Sequence, residues 1–318
     1  MAAETAEKTV ISFGEILWDV FPTDSVLGGA PFNLAFRINS LGARGIIASR
    51  LGRDEPGREA FRQVLSLGFD TSCIQWDEHR PTGMVNVSFA PDGTHDFYIV
   101  PGAAYENIEA TESLLAASGM CDFFCFGTLV QRSAGSGKAL EKLLEAAAGG
   151  KKFLDINLRK DCYTPQTVKR SLARTDILKL NDDEAAELTV MLFGRELDLP
   201  DFCEKIAEKY SLECCLVTFG ERGVLACSAL EGKLYVPGYR VNVADTVGCG
   251  DAFSAGFVHG IIQNRTLEQS CGYGSLLGAL AAKRKGATAA IGPEEIVSLR
   301  LGDYERVIDP EYEKYMAG

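Results

Sequence analysis

No apolar run in this 318-residue chain reaches the roughly 20 residues that a membrane-spanning helix needs. Histidine is scarce, with only His79, His95 and His259, and there is no CxxC pair, which together exclude the common structural zinc patterns. Neither GxxxxGK[ST] nor GxGxxG occurs. The stretch GSGKAL at 135–140 imitates the first of these but lacks the upstream glycine and the Ser or Thr after Lys138. Cations are outnumbered, 32 Lys and Arg against 44 Asp and Glu, for a net charge of −12. That balance excludes a protein that holds nucleic acid through a broad basic surface, so no nucleic-acid partner and no membrane partner is expected. A phosphorylated ligand would have to be gripped by local donors. The opening MAAETAEKTV lacks the basic start and apolar core of a secretory signal. Most of the ten cysteines lie in apolar runs such as CDFFCF and LECCLVTF, so they are expected to be reduced, buried and cytoplasmic.

What is present is an ordinary globular composition, 46% hydrophobic and 24% charged, with enough length for one large domain or two smaller ones. Short apolar runs recur: VISFGEIL, RGIIASRLG, DFFCFGTL, KFLDINL, DILKLN and CCLVTFG. Helical patterns separate them, which predicts an α/β fold, a doubly wound and mostly parallel sheet with helices on both faces. Two regions break the alternation. Residues 81–100, PTGMVNVSFAPDGTHDFYIV, read as two strands around a PDG turn, and 16–30, ILWDVFPTDSVLGGA, has a similar character. The expectation is one domain over 1–318 whose small β-strand lid uses segments at about 16–30 and 81–103.

The most informative stretch is DTVGCGDAFSAGF, 245–257. Phe253, Phe257 and Ile261 recur every four residues, with Val258 and Ile262 broadening the stripe, which predicts an amphipathic helix starting at or near Asp251. The N–H groups at such a start attract anions, and glycines at 248 and 250 would let a ligand approach the backbone. A carboxylate beside that hole suits proton removal from a hydroxyl attacking a bound phosphoryl group. The plainer alternative makes Asp251 an N-cap and the glycines a turn.

DTVGCGDAFSAGF resembles the C-terminal signature of the ribokinase-like, or PfkB, family of sugar and nucleoside kinases, and GGAPFNLAFRINSLGA at 28–43 resembles its N-terminal double-glycine signature. The likeness runs from GEILWD at 14–19 to KGA at 285–287. It implies a ribokinase-like fold and ATP-dependent phosphorylation of a sugar, with Mg²⁺ as cofactor. Asp251 would be the base and Gly248, Cys249 and Gly250 the anion hole. Arg159 in DINLR would clamp the phosphate in transfer. Asp19, Gly28, Gly29 and Asn33 would bind the sugar, whose hydroxyls need paired polar groups. Asn181, Thr218, Gly220, Gly223 and Ser275 would bind nucleotide. Glu184, in an NxxE element with Asn181, would organise Mg²⁺ through water, although the same spacing is also a capping box. A potassium-like ion, where one is used, would lie near Asp245, Val247, Ala281, Arg284 and Gly286. Lid strands would offer a route to a homodimer.

Two positions depart from the usual pattern. Cys249 stands where the family usually has alanine; it is either a tolerated small residue or a thiol of lowered pKa whose oxidation would block the hole. Ala30-Pro31 replaces the lysine that follows the double glycine in ribokinases proper, and GGAPFN with GEILWDVFP resembles fructokinases instead. Fructose, phosphorylated at the 6-hydroxyl, is therefore the leading expectation. Alternatives are ribose, 2-keto-3-deoxygluconate or another sugar, or a non-catalytic sugar- or nucleotide-binding regulator on the same fold.

Overall fold

All six of the apolar runs fold as strands, which is what runs of four to nine buried residues between helical patterns require. A computed structural model describes residues 8–89, 95–300 and 304–316. The PDG turn expected at 91–93 lies outside the described residues. The chain divides into two compact units, Met1–Gly150 and Lys151–Gly318.

The first unit contains β1 (Thr9–Phe13), β2 (Leu17–Val20), β3 (Ser25–Gly28), α1 (Ala30–Ser40), β4 (Arg44–Gly52), α2 (Glu55–Ser66), β5 (Ile74–Asp77), β6 (Gly83–Phe89), β7 (His95–Ile99), α3 (Glu112–Met120), β8 (Phe123–Phe126) and α4 (Ala134–Ala146). Strands β8, β1, β4 and β5 lie side by side in that order, and every pairing is parallel. Because parallel strands are covered on both faces, β1 and β8 are almost wholly apolar and buried. The two segments that broke the sequence pattern form a separate sheet, in the order β3-β2-β6-β7. Its pairings are antiparallel except for β2 with β6. Trp18 and Leu27 of this sheet join Phe32, Ile47, Leu51 and Phe69 in one apolar cluster, and the Trp18 indole donates to the Pro56 carbonyl at 3.0 Å.

The second unit contains β9 (Lys151–Asp155), α5 (Pro165–Leu172), β10 (Ile177–Asn181), α6 (Asp182–Phe193), α7 (Leu199–Tyr210), β11 (Cys214–Thr218), β12 (Val224–Ser228), β13 (Gly232–Val236), β14 (Gly238–Tyr239), α8 (Cys249–Ile262), α9 (Leu267–Ala282), α10 (Pro293–Arg300) and β15 (Arg306–Val307). Strands β9, β10 and β11 are parallel, and the hairpin strands β12 and β13 extend the sheet antiparallel.

Helix α8 starts near Asp251, as expected, but is not the amphipathic helix that the stripe predicts. It begins at Cys249 with Gly248 as its cap, so Asp251 is its third residue and not the N-cap. It is also buried on all sides from Ala252 through Gly260 rather than along one stripe. The Phe257 ring lies 6.1 Å from that of Phe153 on β9, while α9 approaches so closely that a methyl group on Gly256 would stand 3.0 Å from the Gly274 Cα. Among the described residues, no helix is long and apolar enough to cross a membrane.

Candidate active site

In the first unit, pairing places Asp19 between Val26 and Val85, so these three side chains share one face of the small sheet. The Asp19 carboxylate lies against Gly28, where a methyl group would stand 2.7 Å from Oδ2. Gly29 caps α1 at φ +115°, and a side chain there would run into the Glu15 carbonyl. Asn33 sits in the first turn of that helix, buried, with its N–H donating to the Gly29 carbonyl at 2.9 Å. The double glycine therefore lets the end of β3 turn into α1 directly beside an acid.

In the second unit, the turn before α8 is tied on both sides. Asp245 accepts from the N–H groups of Val247 and Gly286, each at 3.0 Å, which draws the 245–248 loop against the segment after α9. Gly248 adopts φ +77°, and a methyl group on it would strike the side chain of Ala287. Only glycine satisfies both conditions. Among the described residues the N–H groups of Gly248 and Gly250 have no acceptor, as an anion-binding helix start requires.

Cys249 is half-buried, with its Sγ 3.7 Å from the Asp245 carbonyl. Burial pushes its pKa up to about 12, helped by the carboxylates of Asp245 and Asp251, in the opposite direction to the lowered pKa of the second expectation.

A cavity of about 190 Å³ opens beside this turn. It brings together Thr218 of β11, Gly220 and Gly223 of the turn that follows, Cys249 and Gly250 of α8, and Ser275 of α9. Tyr239, Val243, Phe253 and Ala282 complete walls that suit a flat apolar ring. Sequence reading missed these wall residues, since apolar side chains in a site look like core. The glycine-bearing turn at Gly220–Gly223 is held from behind by the chain end: Tyr312 stacks on Phe219 at 5.1 Å, and Arg222 pairs with Asp309 at 2.8 Å.

Asn181 and Glu184 form the capping box of α6, with the Glu184 N–H donating to Asn181 Oδ1 at 2.8 Å and the Asn181 N–H to Glu184 Oε2 at 2.9 Å. Glu184 also accepts from the Leu158 N–H at 2.8 Å, so one carboxylate joins the DINLR and NxxE stretches. Burial raises its pKa despite the nearby Lys179. With one N–H on each oxygen and little exposure, Glu184 fits a magnesium ion only through water. Arg159, next to Leu158, is exposed and makes no ion pair among the described residues.

Of the positions expected around a monovalent cation, Asp245 and Gly286 meet directly, and the Asp245 side chain is committed to N–H groups. Ala281 is buried and its carbonyl accepts from the Arg284 N–H at 3.0 Å, while the Arg284 guanidinium donates to the Leu280 carbonyl and pairs with Glu295. Only main-chain carbonyls remain to hold such an ion. No group of three or more His, Cys, Asp or Glu among the described residues could hold a metal.

The profile of the pfkB family carbohydrate kinases matches residues 4–293. The chain belongs to the pfkB family of carbohydrate kinases. Among its pfkB-family relatives, the probable fructokinase-3 of Arabidopsis thaliana is 27% identical over 94% of this chain and 93% of its own. The fold is shared with a fructokinase from Xylella fastidiosa solved with bound ATP, at a TM-score of 0.83 and 23% identity over 93% of this chain and 99% of that one. It is shared as closely with 2-dehydro-3-deoxygluconokinase from Thermotoga maritima, at 0.82 and 18% over 93% and 100%. The expected ribokinase-like fold is therefore the fold of this pfkB member, a mostly parallel sheet with helices plus a small second sheet.

Proposed function

We propose that this carbohydrate kinase transfers the γ-phosphate of ATP to the 6-hydroxyl of fructose, with Asp251 as the base. The observation that carries the reading is the cavity in which the nucleotide-segment residues Thr218, Gly220, Gly223 and Ser275 meet the start of α8. A base ring between Tyr239, Val243 and Phe253 directs a triphosphate toward the N–H groups of Gly248 and Gly250, that of Cys249 being donated to the Thr246 carbonyl. The sugar hydroxyl oxygen attacks the γ-phosphorus, its proton passes to Asp251, and ADP leaves with the bridging oxygen. Charge arising on the phosphoryl oxygens is met by the helix start and by Arg159, which stands unpaired for that purpose. A magnesium ion brought in with the triphosphate would supply charge neutralisation, and Glu184 would hold it through water. A potassium ion held by carbonyls near Asp245 and Gly286 would add positive charge beside the same turn.

Asp19 and Asn33 pair with sugar hydroxyls, and Gly28 and Gly29 let the backbone turn beside the Asp19 carboxylate. Fructose is favoured by GGAPFN and by the fructokinase relative. The equally close fold of the Thermotoga enzyme supports a keto-sugar acid as the second substrate class. The family match runs through both units, which supports one kinase domain over the whole chain. Val26, Phe97 and Tyr98 of the small sheet are exposed, which supports self-association through its strands.

The test is ADP release with MgATP across fructose, ribose, glucose, 2-keto-3-deoxygluconate and adenosine. Fructose turnover is expected, and Asp251→Ala should lower it by about 10² to 10⁴. Turnover of another sugar alone would move the specificity. No turnover with any would overturn the enzyme reading and leave a binding protein.

A further inference from the structure

Lys179 interrupts the apolar strand β10 between Leu178 and Leu180, both fully buried, and is itself 6% exposed. A strand alternates its faces, so this lysine leaves the leucine face and points the other way. It pairs in register with Asp155 on β9, and its ammonium donates to both carboxylate oxygens, at 3.1 and 3.2 Å. Asp155 Oδ2 also accepts from the Ser254 hydroxyl of α8 at 2.8 Å. The same ammonium lies against the start of that helix, where a methyl group on Gly250 would stand 3.1 Å from Nζ. Burial works against its charge, but attraction to Asp155 and Glu184, the hydrogen bond to Asp155 and attraction to Asp251 together raise its pKa.

Three acids, Asp155, Glu184 and Asp251, thus bear on one buried cation, which lies against the Gly250 turn. We propose that Lys179 is a positioning residue of the phosphate site: it fixes the first turns of α8 through Asp155 and Ser254, and it supplies the counter-charge that lets an anion settle beside three carboxylates. This deepens the phosphoryl-transfer reading and rests on it. The ammonium acts through the turn, from beneath Gly250, and its charge is preorganised because Asp155 holds it on the strand side. The small residue at 250 is part of the device, since a side chain there would press on the ammonium.

Lys179→Met alone strands the buried Asp155 carboxylate and can unfold the protein for that reason. The informative protein is therefore the double variant Asp155→Asn with Lys179→Met, which removes both charges at similar volume. Inorganic tripolyphosphate is titrated calorimetrically into wild type, the double variant and Ser254→Ala, and melting is followed in parallel. The double variant should melt close to wild type yet bind tripolyphosphate about tenfold or more weakly, with Ser254→Ala, which loosens the first turns of α8 but keeps the buried charge, falling between the two. A double variant that recovers both stability and wild-type affinity would show a purely structural lysine and overturn the proposal, as would a wild type that does not bind the probe. Sugar turnover, measured separately, distinguishes the two readings: a wild type that phosphorylates no sugar but binds tripolyphosphate through Lys179 removes the sugar assignment alone. In a wild type that does turn over sugar, the double variant should lose kcat while the sugar KM stays within a few fold.

Discussion

A single glycine illustrates how much the site asks of individual residues. Gly248 combines a left-handed φ of +77° with direct contact against Ala287, so Gly248→Ala should cost about 1–3 kcal/mol and distort the helix start. The expected outcome is a lowered melting temperature together with a large fall in phosphoryl transfer; a variant with wild-type kcat would show that the turn does not hold the phosphate. DTVGCGD marked this position as a glycine of a turn or of an anion hole, and only the contact with Ala287 shows why no side chain fits. Lys179 was not legible, since in DILKLN it reads as one polar residue in a strand. Its importance comes from Asp155 and Ser254, 24 and 75 residues away in sequence. Cys249 was half legible: its small size could be read in the turn, whereas the burial that pushes its pKa up, against the lowered value of the second expectation, is set by segments the turn does not show.

At the scale of elements, the start of α2 is tied to the entry of the small sheet by one carboxylate. Asp54 caps α2 by accepting from the Gly57 N–H at 2.8 Å, and takes both the N–H and the hydroxyl of Thr82, just before β6, at 2.8 and 2.6 Å. Burial opposes its charge, but these hydrogen bonds prevail and hold its pKa below the usual carboxylate value. Its stabilising contribution is thus fully present above the unfolded-state pKa of about 4 and fades as the pH falls through the lower folded value. Asp54→Ala should lower stability at pH 7 by about 0.5–2 kcal/mol, and the gap to wild type should narrow below about pH 4 in denaturant titrations. A gap independent of pH would show that the charge has no part in it. Strand existence was readable at this scale from the apolar runs. The single parallel pairing of β2 with β6 was not, because pairing partners depend on where the chain returns rather than on local propensity.

For the whole molecule, the exposed apolar residues of the small sheet lead to a prediction on association. Light scattering should give about twice the 34.4 kDa chain mass for wild type and the single-chain mass for Phe97→Asp. A wild type of single-chain mass would end the proposed self-association. The sequence by itself determined the class of fold, the family and the two glycine signatures, because those depend on the order of apolar runs and on backbone freedom at particular residues. Tertiary structure alone decided that α8 starts at Cys249 and is buried all round, that Thr218 and Ser275 share a cavity with Gly250, and that a lysine lies against Gly250. The physical reason is that burial and electrostatic neighbourhood are set by segments far apart in the chain, and no local pattern records which of them will meet.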